Sequence, residues 1–283
     1  MSTFVELHSQ AVSQAVYPTF KNILFATDFS QCSGSALECL RAVAELHGAT
    51  VRVVHVISPE RDRAALRPGH SESHTINKKM SVFLDEHPIT GVPFEAFVAR
   101  GPVAETLIDL VRCEQIDLIA LGTRGLGQRL PTLGSVTGQI LSEAPCPVLT
   151  VGEQMRAHTA ERLERILYAT DFSPASLRAL PYALSLAKKK DSHLMLLYVD
   201  TREVTFDYLV EAAFEGKLLN LLPADAHLYG VEPIIGIGPV ANGVIDTALE
   251  HDADVIVMGS PLEAPDCSIQ IHLQAHCPVL SVK

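Results

Sequence analysis

The chain repeats itself, and this limits its fold more than any other property. Asn22-Ile23-Leu24-Phe25-Ala26-Thr27-Asp28-Phe29-Ser30 returns as Arg165-Ile166-Leu167-Tyr168-Ala169-Thr170-Asp171-Phe172-Ser173, offset by 143 residues, and His55-Val56 and Tyr198-Val199 keep that offset. Gly101-Pro102-Val103-Ala104 matches Gly238-Pro239-Val240-Ala241, and Asp117–Gly122 matches Asp254–Gly259, both at an offset of 137. Cys146-Pro147-Val148-Leu149 matches Cys277-Pro278-Val279-Leu280 at 131. Self-similarity at a long period marks a duplicated structural unit. The falling offset means that the second copy is shorter in two places, one of them the stretch after Gly259. A length of 283 residues suits two domains. The expected division is 1–152 and 153–283, with the polar segment Gln154–Leu163 as linker.

Within the first copy, apolar and polar residues alternate between two periods. Asn22–Ala26 reads as a strand, and Ser30 can cap the helix after it, whose stripe of Leu37, Leu40, Val43 and Ala44 stops at His47-Gly48. Val51–Ile57, rich in β-branched residues, is a buried strand. Ser58–Thr75, with Pro59, Pro68 and Gly69, is expected as an exposed loop. Ile76, Met80, Phe83 and Leu84 mark a helix; Phe94, Ala96 and Val98 a strand; Val103, Leu107, Leu110 and Val111 another helix. Ile116–Leu121, a helix near Val136–Glu143 and a strand at Pro147–Val151 complete the copy. The second copy repeats the order, with Ser173-Pro174 opening a helix that carries Leu177, Leu180, Leu184 and Ala187. Alternating strands and helices imply α/β architecture: two tandem, doubly wound, parallel five-stranded sheets, Rossmann-like, of order 3-2-1-4-5. The last strand of each copy, Pro147–Val151 and Pro278–Val282, is a short apolar edge that invites pairing.

Charge and composition remove several function classes. The net charge is −11 and there is no block of five or six consecutive Lys or Arg, which argues against a nucleic-acid partner. Lys188-Lys189-Lys190 closes a helix, where cations suit the dipole. Residues 1–20 lack the basic and apolar regions of a signal peptide, and no apolar run approaches 18 residues, so neither a leader nor a membrane span is expected. None of Cys32, Cys39, Cys113, Cys146, Cys267 and Cys277 forms a CxxC pair, so buried thiols in a reducing cytoplasm are expected. His70 and His74 have a spacing that binds metal only on a helix, and beside Pro68-Gly69 a loop is expected, so no metal site follows. GxxxxGK[ST], GxGxxG and GxSxG are all absent.

What separates the copies is Leu121-Gly122-Thr123-Arg124-Gly125-Leu126-Gly127, which runs on to Gly134-Ser135-Val136. Glycines in a strand-to-helix connection let the backbone approach a ligand, and the helix N-terminus beyond supplies N–H groups and a positive dipole end. In a doubly wound sheet, ligands bind at the carboxyl ends of the strands where the order reverses. With order 3-2-1-4-5, Asp28 ends the first strand, Gly122 the fourth, and the pair brackets that point. Asp28 can accept hydrogen bonds from ribose hydroxyls, and Val56 can offer backbone groups and apolar surface to a base. A carboxylate that merely favours a helix N-terminus is the alternative role for Asp28.

On these residues the chain resembles the universal stress protein family over nearly all of both copies. The nucleotide signature of that family, G-x2-G-x9-G-[ST], corresponds to Gly122-Thr123-Arg124-Gly125 and Gly134-Ser135, with eight residues rather than nine between Gly125 and Gly134. The resemblance implies ATP, with or without Mg, as ligand. By it, Asp28 contacts the ribose or base, Ala26 and Thr27 line the pocket, Val56 reads adenine through its backbone, and Gly122, Gly125, Gly134, Ser135 and Val136 cradle phosphates, with Thr123 also among the binding residues. Arg124 is added from its position. It also implies that the edge strands join the two copies as an internal pseudo-dimer, with further homodimerisation possible. The second copy keeps Asp171 and Val199, but Ser260-Pro261-Leu262-Glu263-Ala264-Pro265-Asp266-Cys267-Ser268 holds no glycine, so no nucleotide is expected there. The expected function is an ATP-binding stress-response or signalling regulator with an unidentified protein partner, at most a weak ATPase. The alternatives are a nucleotide-free scaffold and, behind it, an ATP-dependent enzyme with slow hydrolysis.

Overall fold

The structure, a computed structural model, describes residues 17–59, 72–125, 132–156, 163–188, 191–202, 208–223, 230–260 and 265–283. The first copy runs β1 (Asn22–Ala26), α1 (Gln31–His47), β2 (Thr50–Ile57), α2 (Glu72–Glu86), β3 (Phe94–Arg100), α3 (Val103–Cys113), β4 (Leu118–Gly122), α4 (Ser135–Glu143) and β5 (Val148–Val151). The second runs β6 (Arg165–Ala169), α5 (Pro174–Leu186), β7 (His193–Asp200), α6 (Tyr208–Leu219), β8 (Gly230–Ile237), α7 (Val240–Glu250), β9 (Val255–Gly259), α8 (Pro265–Gln274) and β10 (Val279–Val282).

Each copy has the expected strand order, but the sheets do not end at their edges. They form one ten-stranded sheet, β3-β2-β1-β4-β5-β10-β9-β6-β7-β8. All pairings are parallel except the central one, where β5 and β10 run antiparallel with Leu149 opposite Leu280. Pairing the two apolar edges satisfies their backbone groups and removes the liability of an open strand. On one face the core runs unbroken across this seam, from Phe25 and Val53 through Leu149, Val151, Leu280 and Val282 to Tyr168 and Leu196. Phe20 stacks on Tyr182 of the other copy at 5.9 Å. On the opposite face each copy keeps a separate core, under α3 and α4 or under α7 and α8.

The repeated polar residues explain why the two copies fold alike. Ser30 and Ser173 cap α1 and α5, each Oγ accepting an N–H three residues on, from Ser33 and Ser176, at 3.2 Å. Gly48 ends α1 in the left-handed conformation, φ 60°. Asp117 accepts the backbone N–H groups of Lys21 and Asn22, and Asp254 those of Glu164 and Arg165, so each pins the start of its first strand.

Some expectations need correction. The exposed loop set at Ser58–Thr75 overlaps α2, which begins at Glu72 and carries His74; its middle, with His70, Pro68 and Gly69, lies outside the described residues. A preceding Pro-Gly pair masked the helical start, because the periodic apolar residues of α2 begin only at Ile76. Leu177 is 36% exposed rather than part of the α5 core stripe. Lys189, Lys190 and linker residues 157–162 also lie outside the described residues.

Candidate functional site

At the carboxyl ends of β1, β2 and β4 lies a cavity of about 330 Å³, within the size range of small-molecule pockets. Its wall includes Ala26, Thr27, Asp28, Val56, Gly122, Arg124, Gly125, Gly134, Ser135 and Val136. Every residue singled out in the sequence therefore lines it except Thr123. That residue is 1% exposed and works behind the wall: its N–H donates to Val151 O, and its carbonyl accepts from Gly134 N–H at 3.0 Å.

The turn after β1 aims Asp28. Thr27 Oγ1 accepts the Phe29 N–H at 2.9 Å, and Asp28 Oδ1 accepts both the Ser30 N–H (3.0 Å) and the Ser33 hydroxyl (2.8 Å). Phe29 takes a left-handed backbone, φ 65°, as does its repeat Phe172, φ 63°. That conformation costs a non-glycine residue about 1–2 kcal/mol. Stacking of the Phe29 ring on His55, with centroids 4.4 Å apart, offsets part of it. Asp28 thus stands at the helix end, with Oδ1 held in the turn, and also lines the crevice. Oδ1 is bound into the turn, while Oδ2 lies on the side of the glycine loop, where a Cβ added to Gly125 would come within 2.8 Å of it.

On the other wall the ladder between β1 and β2 ends with Thr27 N–H on Val54 O at 2.9 Å. Strand groups alternate in direction with a period of two residues. Ile57 O accepts from Gly101 N–H on the β3 side, so the N–H and C=O of Val56 face the crevice beyond the end of β1. Across from them α4 begins after Gly134 with no side-chain cap and no acidic residue in its first turn. Its leading N–H groups keep their anion-attracting character. Arg124 reaches the wall, but its Nη1 lies 2.5 Å from Glu153 Oε2.

The structure also brings in residues that the sequence reading passed over. Ser33 supports Asp28, His55 hydrogen-bonds through Nδ1 to Thr27 O at 2.8 Å, and Val103 and Leu107 add an apolar side from α3. The signal for Val103 was present in the repeated Gly-Pro-Val-Ala turn. That for Ser33 lay in its repeat, Ser176.

Gly122 has a further role. A Cβ there would lie 3.1 Å from Cys32 Sγ, and one on Gly259 would meet Ala175 C and O and Ser176 N at 2.5 Å. The glycine at this position seats the first turn of α1 or α5 against the sheet in both copies. Gly125 and Gly134 have no such counterpart. In the second copy α7 settles on the sheet: a Cβ on Gly243 would be 2.9 Å from both Val199 methyl carbons. Residues 261–264, the remnant of the glycine stretch, lie outside the described residues. Asp171 sits below the usual carboxylate range: burial pushes it up, but hydrogen bonds from Ser173 and Ser176 outweigh that. Among the described residues no three His, Cys, Asp or Glu side chains gather closely enough to hold a metal, and no helix is long and apolar enough to cross a membrane.

The sequence profile of the universal stress protein family matches residues 19–152 and again 162–283. A universal stress protein of Thermus aquaticus is 38% identical over 136 residues, 47% of this chain and 98% of that protein. One from Mycolicibacterium smegmatis is 30% identical over 189 residues, 62% of this chain and 63% of the other. In three dimensions a universal stress protein from Archaeoglobus fulgidus matches 94% of this chain and 97% of its own with a TM-score of 0.67 at 21% identity. That last likeness speaks to the fold alone.

Proposed function

The chain belongs to the universal stress protein family, and from that premise we propose that its first domain, residues 1–152, binds ATP as a regulatory ligand. The second domain, 153–283, is its nucleotide-free companion. One observation carries the reading: a single cavity joins a carboxylate, outward-facing strand amides and, across from them, an uncapped helix N-terminus beside a glycine loop. Asp28 would take the ribose, the Val56 backbone the adenine edge, and Gly125, Gly134, Ser135 and Val136 the phosphates. Thr123 would hold this wall in place from behind. Mg would arrive on the phosphates, since Asp28 is the sole carboxylate among the described lining residues. Among the described lining residues, the carboxylate–hydroxyl pair of Asp28 and Ser33 is engaged within the turn that opens α1, with Ser33 3% exposed, so the proposed role is conformational signalling in the cytoplasm rather than turnover. In the second domain the packing of Val199 against Gly243 favours a closed crevice.

The test starts from the purified full chain. Denaturing it and analysing the supernatant by mass spectrometry should release an adenine nucleotide. ATP at a hundred times its Kd should raise the melting temperature by about 5 °C or more. Asp28→Ala and Gly125→Leu should each abolish that rise. A chain that carries no nucleotide and does not respond to ATP would overturn the proposal. It would favour a ligand-free scaffold, a second reading supported by the engagement of Arg124 with Glu153.

A further inference from the structure

Arg124 is the one lysine or arginine among the described residues that line the cavity, and its partner Glu153 stands outside that wall. The arginine side chain is 19% exposed and the glutamate 55%. Glu153 belongs to the segment that splices the two copies together just after β5. Gly152 abuts the carbonyls of His272, Leu273 and Ala275, leaving 3.4–3.7 Å for an added Cβ. Met155 Sδ lies 3.2 Å from Cys39 Sγ of α1. Arg156 donates its N–H to His276 O at 3.0 Å and its Nη1 to Asp252 at 2.8 Å. Within residues 152–156 the chain thus grips the first copy, the second copy and, through Glu153, the glycine loop.

We propose that Glu153 is a built-in counter-ion that competes with the ligand's phosphates for Arg124, so that filling the cavity detaches the splice between the copies from the glycine loop. This rests on the nucleotide reading above. An exposed ion pair contributes little net stability, because water and salt screen it and two long side chains must be ordered to make it. A phosphate carries more charge and offers more acceptors to the guanidinium fork than one carboxylate oxygen. The exchange therefore favours the phosphate. The negative charge of Glu153 also reaches inward: it adds to the burial that pushes up the Cys32 thiol, which packs beneath Gly122. The same negative charge opposes an arriving phosphate, so neutralising it should ease phosphate entry.

Calorimetric titration of the full chain with ATP, at two salt concentrations, tests this. Glu153→Gln should bind about three- to fivefold tighter than the wild type, and Arg124→Gln should bind more weakly with a shallower salt dependence. Adding Glu153→Gln to Arg124→Gln should bring no further gain. Hydrogen exchange at residues 152–156 should rise on ATP addition in the wild type and stay unchanged in Arg124→Gln. Binding by the wild type with equal or weaker binding by Glu153→Gln would overturn the inference alone and make Glu153 a support for the arginine. Absence of binding in every variant would overturn the nucleotide proposal and this one with it.

Discussion

At the scale of single residues, four glycines that look equivalent in the sequence turn out to do two jobs. Gly122 and Gly259 are packing glycines, required in both copies because α1 and α5 touch the sheet there. Gly125 and Gly134 occur in the first copy only. The contact distances set an order of costs. Gly259→Ala drives its new methyl into backbone atoms at 2.5 Å, whereas Gly122→Ala meets a thiol at 3.1 Å that can shift slightly. We expect Gly259→Ala to lose about 2–4 kcal/mol and Gly122→Ala about 1 kcal/mol or less, measured by urea unfolding. Equal losses would mean that the helix adjusts its seat in both copies. The sequence could show that glycine recurs at Gly259 but not why, since the neighbour that excludes a side chain lies 84 positions away at Ala175.

At the scale of elements, the strand order, the helix starts at Ser30 and Ser173 and the stop at Gly48 were all legible, because each follows from local chemistry: periodicity, a hydroxyl cap, a left-handed glycine. Their energetics are local too. Ser30→Ala should cost about 1 kcal/mol and Gly48→Ala a similar amount, and thermal denaturation of the two variants checks both; a null effect for Ser30→Ala would mean that the Asp28 turn holds the N–H groups unaided. Less legible was anything fixed by distant packing. The start of α2 was hidden because its first turn carries no apolar stripe, and Thr123 read as a wall residue because its neighbours in the chain are. Val103 and Leu107 were recognised as helix core, but the face that α3 turns to the cavity depends on how closely it approaches β2. In the second copy Gly243 stands in place of Thr106 and meets Val199, 44 positions away, a contact that the sequence alone does not show.

At the scale of the whole molecule, two of the buried histidines, His272 and His47, should make the fold sensitive to acid. His272 lies under the seam, 1% exposed, with Nδ1 2.6 Å from Thr150 Oγ1 of β5 and Nε2 2.9 Å from Ser281 Oγ of β10. Burial holds it down at about 4. His47, edge-on to Phe20, is also lowered to about 4 by burial, with Lys188 and Lys21 adding to it. An unfolded histidine titrates near 6.5, so between those values the unfolded chain binds protons that the folded chain refuses. Stability should be full above about pH 6.5, fall as the pH drops and level off below about 4, by on the order of 3 kcal/mol for each histidine. Urea midpoints at pH 7 and pH 5 measure the loss, and His47→Phe should remove part of the slope; an unchanged slope would place the acid sensitivity elsewhere. The seam itself makes another expectation: a fragment ending at residue 156 leaves β5 uncovered and should pair with a second copy of itself in sedimentation, whereas the full chain has that edge occupied by β10. That occupancy has a consequence for recognition. An assembly of two identical subunits looks the same from either end, so a partner that meets it across the axis can dock in two equivalent orientations. Here a single polypeptide supplies both halves with different crevices, so the object has a head and a tail. A partner that spanned the seam would be read in one direction only, and because one chain carries both halves, dilution does not separate them.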